Sequence, residues 1–242
     1  DGVTPYVNTG GRYNPATNTW AVGGTSTTNA PTGRYLHVWV WTGAEMIVWG
    51  GFNGVNLVNT GGRYNPASDT WAADGTSTSN TPTVRYEEGA IWTGTEMIVW
   101  GGFDGGNYFR TGGRYNPMTN TWAVGGTSTT NAPTARRVHG AVWTGAEMIV
   151  WGGFDSVQLV NTGGRYNPAA NSWSPTSTTN APTGRTGHTG VWTGGDMIAW
   201  GGVSNLNTGG VYGAGAGSSD VEGPGGGTGS GRPRLALAPP SP

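Results

Sequence analysis

One phrase is written four times: "GGRYNPATNTW" at residues 10–20, "GGRYNPASDTW" at 61–71, "GGRYNPMTNTW" at 112–122 and "GGRYNPAANSW" at 163–173. Arg12, Arg63, Arg114 and Arg165 therefore recur every 51 residues. A fixed long period means one supersecondary unit repeated along the chain, and such a unit buries its apolar faces only against its neighbours. The step shortens to 46 residues between Arg165 and Val211. The residues lost lie before Arg185 and before Gly209, in polar stretches that this shortening marks as loops.

Each unit offers four short strands, here a to d. "RYLHVWVW" (34–41) and "EMIVWGG" (45–51) are apolar, β-branched and aromatic, and only Thr42, Gly43 and Ala44 lie between them, so a and b are expected to form a tight antiparallel hairpin. Strand c, "NTGGRY" (59–64), stops at Asn65-Pro66, where proline removes a ladder donor and fixes φ for a turn, and strand d starts at Thr70-Trp71. No window has apolar residues at i, i+3, i+4 and i+7, and the chain carries 47 Gly, so helix is expected to be essentially absent. "EMIVWGG" is apolar at successive positions, as in a strand covered on both faces. Sheets stacked around an axis provide that cover.

A doubled Gly closing an apolar strand ("IVWGG"), a Tyr followed by a turn and a Trp ("YNPATNTW") and a Pro-x-x-Arg-x-x-His segment ("PTGRYLH") resemble the kelch repeat in order and spacing, over residues 7–212. The resemblance implies an all-β fold: a kelch-like β-propeller of four-stranded antiparallel blades, about four of them or an excerpt of a larger ring. The second unit departs from the pattern, with Glu88 where His37, His139 and His188 stand elsewhere. The resemblance also implies that Trp20, Trp71, Trp122 and Trp173 wedge between blades.

The strand sequence opens in the middle of a blade. Pairing the first c-d (8–22) with the last a-b (185–201) closes four blades and leaves the final c (207–212) redundant, whereas counting five leaves the first blade without its inner strands. An open ring exposes edges that recruit partners, so self-association to complete it is an expectation. Residues 1–212 are assigned to the blades. Residues 213–242, rich first in Gly and Ser and then in Pro and Ala, are assigned to a linker or tail.

In such a meander the a→b and c→d turns share one face and the b→c and d→a connections share the other. The first face hardly varies between units, and the "TGAE" carboxylates on it (Glu45, Glu147) are expected to be solvated. The opposite face carries "FNGVNLV", "FDGGNYF" and "FDSVQLV", which differ most from blade to blade, and loops on a rigid scaffold are where binding sites are built.

Candidate ligand-binding residues follow from that face. Arg34, Arg85, Arg136 and Arg185 begin the innermost strands, so their guanidinium groups either crown the channel for an anionic ligand or bond loop carbonyls where each blade is entered. Glu88 marks the channel mouth in the one unit without His. Asp104 and Asp155 supply either oxygen ligands or turns, and no Asp-x-Asp-x-Asp spacing supports calcium. Tyr108 and Arg110 stand in one loop only, either as a clamp for a sugar or protein or as an anchor for the loop. The three His occupy equivalent positions of separate blades, which holds them apart, so no metal site and no cofactor are expected.

With 10% charged residues, a net charge of −1 and no Lys among its 12 basic residues, the chain lacks the basic surface that nucleic acid demands. Its apolar runs are too short to span a membrane as helices. Asp1 rather than Met leads the chain and no signal peptide is visible, so a processed piece is expected. The weakly charged, Thr/Asn-rich blades point to an exported bacterial protein, extracellular or periplasmic. The leading expectation is a non-enzymatic binding or scaffold propeller that presents one face to a protein or glycan. The alternatives are a carbohydrate-active enzyme, an epimerase or hydrolase, with its site at the channel mouth around Arg34, Arg85, Glu88, Arg136 and Arg185, and a purely structural segment of a larger assembly.

Overall fold

A computed structural model describes residues 6–203 and 206–213. Three complete blades follow one another, each a four-stranded antiparallel meander. They are β3 (Val38–Trp41), β4 (Met46–Trp49), β5 (Gly61–Asn65) and β6 (Thr70–Trp71); β7 (Gly89–Trp92), β8 (Met97–Trp100), β9 (Gly112–Asn116) and β10 (Thr121–Trp122); and β11 (Gly140–Trp143), β12 (Met148–Trp151), β13 (Gly163–Asn167) and β14 (Ser172–Pro175). A two-stranded sheet of β1 (Tyr13–Asn14) and β2 (Thr19–Trp20) precedes them. A three-stranded sheet of β15 (Thr189–Trp192), β16 (Asp196–Trp200) and β17 (Gly209–Gly213) follows.

Local chemistry sets each hairpin. Thr42 Oγ1 accepts from the amides of Ala44 and Glu45 while Gly43 takes a left-handed φ of 99°, which turns a into b within three residues. In the c→d turn Asn65 Oδ1 accepts from Ala67 N, Asp69 stands at φ 55°, and the Tyr64 hydroxyl donates to Asp69 Oδ1 at 2.6 Å. The Gly doublet after b has its own cause. At Gly50, with φ 75°, an added Cβ would lie 2.5 Å from Glu88 Oε1, so the next blade closes directly on the backbone there.

The core lies between blades. Val40, Ile47 and Trp49 pack on Met97, Val99, Tyr115 and Trp122 of the next blade, and Ile91, Ile98 and Trp100 repeat the arrangement on Met148, Val150, Tyr166 and Trp173. Because Met97 and Ile98, or Met148 and Ile149, face opposite seams and are all fully buried, the unbroken apolar run of strand b has its explanation. The indole N–H groups of Trp71, Trp122 and Trp173 each donate to a serine carbonyl in the preceding d→a segment, Ser26, Ser77 and Ser128. Burial of such a ring removes roughly 150–250 Å² from water and pins the outermost strand to its neighbour.

Three expectations are corrected. Trp20 is 66% exposed, unlike Trp71, Trp122 and Trp173, because among the described residues no inner strands pair with β1 to form a seam around it. The first c-d does not pair with the last a-b: β17 occupies the outer edge of β16, in register from Asp196↔Gly213 to Trp200↔Gly209. The "TGxE" carboxylates are not simply solvated. Antiparallel pairing sets Ile98 opposite Arg114 and thereby brings Glu96 beside the Arg114 guanidinium, at 2.8 Å, and Glu147 to 3.6 Å from Arg165. The assignment of residues 213–242 to a tail lies outside the described residues apart from Gly213. Among the described residues no helix is long and apolar enough to cross a membrane.

Candidate binding face

The four inner strands line an open channel of about 680 Å³, in each blade through the strand that starts after the repeated Arg. At the b→c end of this channel backbone bonds tie neighbouring blades. Glu87 N donates to Leu36 O, Val138 N to Glu87 O and Gly187 N to Val138 O. Leu36, Glu87, Val138 and Gly187 all hold left-handed φ values of 53°, 59°, 51° and 64°. For a β-branched residue this is a strained conformation, maintained because the bond to the next blade requires it. Val138→Gly is therefore expected to raise stability by roughly 0.5–1 kcal/mol, after the entropy cost of glycine, measured as a shift of the urea midpoint.

The four arginines lie just beneath this rim. Arg85, Arg136 and Arg185 are 1, 0 and 1% exposed. Arg136 shows the pattern: Nε donates to Thr134 O, Nη1 to the carbonyls of Gly152 and Thr162, and Nη2 to the hydroxyls of Thr134 and Thr162. Arg34 makes the same set of contacts while half-buried. Of the two readings for these residues, bonding to loop carbonyls is the geometry present, and it joins the entering d→a segment to both ends of the b→c loop.

The b→c loops share one frame. Asn53, Asp104 and Asp155 each accept two amides from residues two and three positions on: Val55 and Asn56, Gly106 and Asn107, Val157 and Gln158. These side chains act as turn formers. What the frame holds out differs: Val55 at 79% exposure, Gly105 and Gly106, and Val157 at 81%.

Aromatic rings support the loops from below. Tyr6 stacks on Tyr35 at 5.1 Å, with Phe52 at the edge of both. Tyr108 lies against Phe103 at 4.6 Å and reaches Phe154 of the next blade at 5.9 Å. Arg137, which stands where the first two units have Tyr, covers Phe103 at 5.0 Å and donates to Glu87 Oε2 at 2.8 Å. Tyr108 is thus tied into its own scaffold, and Arg110 donates to Thr129 O at 2.6 Å. The sequence reading passed over Tyr35, Glu87 and Arg137; their signal was the variation of the residue after the inner-strand Arg, Tyr, Tyr, Arg and Thr in turn.

Glu88 and the His residues sit inside the seams. His139 meets Trp100 edge-on at 5.4 Å and His188 meets Trp151 at 5.2 Å. Burial pushes His139 down to about 3 and His188 to about 4. Glu88 occupies the same place against Gly50, 8% exposed, with neither carboxylate oxygen hydrogen-bonded among the described residues. Burial raises its carboxyl to about 8. Among the described residues no three His, Cys, Asp or Glu groups gather closely enough to hold a metal ion.

A family model for the KLHDC2/KLHL20/DRC7 Kelch-repeats domain matches residues 3–202. The chain belongs to the kelch-repeat family. No curated protein matches it. The kelch blades here are those in which Arg85, Arg136 and Arg185 brace the loops and Trp71, Trp122 and Trp173 close the seams.

Proposed function

We propose that this kelch propeller is a non-enzymatic scaffold whose b→c face docks a protein partner. The observation that carries the reading is the contrast between identical frames and individual tips. Three loops built on the same side-chain-to-amide turn present Val55, Gly105-Gly106 and Val157, and the half-exposed Tyr35 and Leu36 add apolar area beside them. Rigid frames reduce the entropy lost on binding, and exposed aromatic and aliphatic groups within a polar surround are the ordinary makings of a protein contact. The Glu87–Arg137 pair between neighbouring blades adds a fixed dipole for orientation.

The test begins with a photo-crosslinking residue at Val55 or Val157, with Met118, 91% exposed on the opposite face, as control. A partner captured from both loop positions and not from Met118 is then purified and titrated. Val55→Asp and Val157→Asp are expected to weaken that titration by tenfold or more each, and Met118→Asp to leave it unchanged. Equal capture from both faces would overturn the proposal. Binding on a glycan array that Tyr108→Ala removes would replace a protein with a glycan.

A further inference from the structure

We propose that a second copy of this chain docks laterally, seating the β15–β16 hairpin of one copy in front of the first complete blade, β3–β6, of the next. This surface is separate from the loop tips and does not depend on what they bind.

Both seams between complete blades are built on one pair of indole rings. A strand-b Trp faces forward to meet the strand-d Trp of the next blade, Trp49 with Trp122 at 5.3 Å and Trp100 with Trp173 at 5.2 Å. In two seams it also meets a His edge-on, Trp100 with His139 and Trp151 with His188. Trp200 is the fourth such Trp and is 57% exposed; Val191 beside it is 51% exposed, where Val40, Ile91 and Val142 are buried. His37 and Trp71 are the receiving residues of a seam that has no forward Trp among the described residues. His37 Nδ1 is buried without a hydrogen-bond partner, and Trp41, equivalent to the half-buried Trp92 and Trp143, is 49% exposed.

The space in front of β3–β6 has the form of an inner half-blade. β1 and β2 stand to β5 and β6 as one blade's outer strands stand to the next: Arg12 Nη1 donates to Pro66 O as Arg63 Nη1 donates to Pro117 O. A pocket of about 460 Å³ opens between β1 and the first complete blade, walled by Gly11, His37, Trp41, Met46, Val48 and Trp71. Strands a and b fill the corresponding space in every later seam. The hairpin β15–β16 is such a pair, with Trp200 and Val191 of its forward face exposed. The two surfaces are halves of an interface that the chain builds against itself twice over with complete blades, so the partner that fits both is another copy.

Strand pairing specifies one further change. β17 and β1 are both third strands, "GGVY" and "GGRY", and a docked blade holds one of them. Docking therefore exchanges β17 of one copy for β1 of the next. With β1 comes the preassembled Tyr13–Trp20 pair, at 5.2 Å, which matches Tyr64–Trp71 at 5.1 Å. The exposed Trp20 gains a seat against Trp151, Ala181 and Met197, where a small pocket lies beside β16. The contact is heterologous, so it propagates until a ring or a filament forms.

Sedimentation equilibrium of the 242-residue chain over a concentration series tests this. Masses at whole multiples of 24.9 kDa are expected for the unaltered chain. Trp200→Asp blocks the forward face and Trp41→Asp the receiving face; both residues are exposed, so each variant is expected to keep its near-ultraviolet circular dichroism and run as a monomer. An equimolar mixture of the two retains one intact seam and is expected to form a one-to-one dimer. Trp20→Ala is expected to raise the dissociation constant at least tenfold with no change in the unfolding midpoint of the monomer. A chain that stays at 24.9 kDa throughout overturns the proposal. So does closure on itself, recognised when Trp200→Asp lowers the unfolding midpoint of a monomer, and so does a mixture that remains monomeric.

Discussion

Glu88→Gln is expected to remove a loss of stability that the unaltered chain suffers as pH rises. The Glu88 carboxyl ionises near 4.5 in an unfolded chain and near 8 in the seam, because its charged form there is cut off from water. Below pH 4.5 it is protonated in both states and its titration contributes nothing. Between pH 4.5 and 8 the unfolded chain gives up the proton and the folded chain keeps it, so unfolding becomes easier by about 1.4 kcal/mol per pH unit. The accumulated loss at pH 8 is on the order of 5 kcal/mol. Denaturant midpoints at pH 5 and pH 8.5 should therefore differ strongly for the unaltered chain and little for Glu88→Gln, and equal differences in the two would refute the assignment. His139 and His188, whose ring nitrogens are enclosed in the seams, act in the opposite direction. Their folded values lie below 6.5, so stability is fully present above that pH and is lost as pH falls toward 4 and then 3. Glu88→Gln should retain this acid limb and lose the alkaline one.

Arg136→Ala is expected to cost on the order of 3–5 kcal/mol, from buried carbonyls left without donors and the cavity vacated by the side chain. The carbonyl oxygens of Thr134 and Gly152 depend on this one planar group, and Thr162 O, which keeps the amide of Gly152, loses one of its two donors. Arg136→Lys should recover only a small part, since an ammonium cannot reach three carbonyls and two hydroxyls from one position. Arg34→Ala removes the same contacts from a half-buried site and should cost distinctly less. Urea midpoints of the three variants measure the order; an Arg34→Ala loss equal to that of Arg136→Ala would show that burial is not what gives the contact its weight.

Much of this molecule could be read before any coordinates. Meander topology, hairpin positions, the burial of Trp71, Trp122 and Trp173, and the sorting of loops onto two faces all rest on local rules: period, turn chemistry and apolar runs. Those rules act within about ten residues of chain and repeat with the sequence. Inner strands begin later than their composition suggested, at Val38 rather than Arg34, because Leu36 turns left-handed to bond the next blade. That bond joins residues 51 positions apart, and no local pattern announces it.

The sequence by itself determined what each unit is, because hydrogen-bonding and burial periodicities are written into every repeat. Only the tertiary structure decided what identical residues do in different surroundings. Trp20 and Trp122 share one motif, yet one is exposed and the other buried; Glu88 takes a His position and becomes a buried acid; Trp200 repeats Trp151 and stands in solvent. Burial belongs to the neighbour as much as to the residue, and in a repeat protein the neighbour is another blade, whose presence the residue itself does not encode.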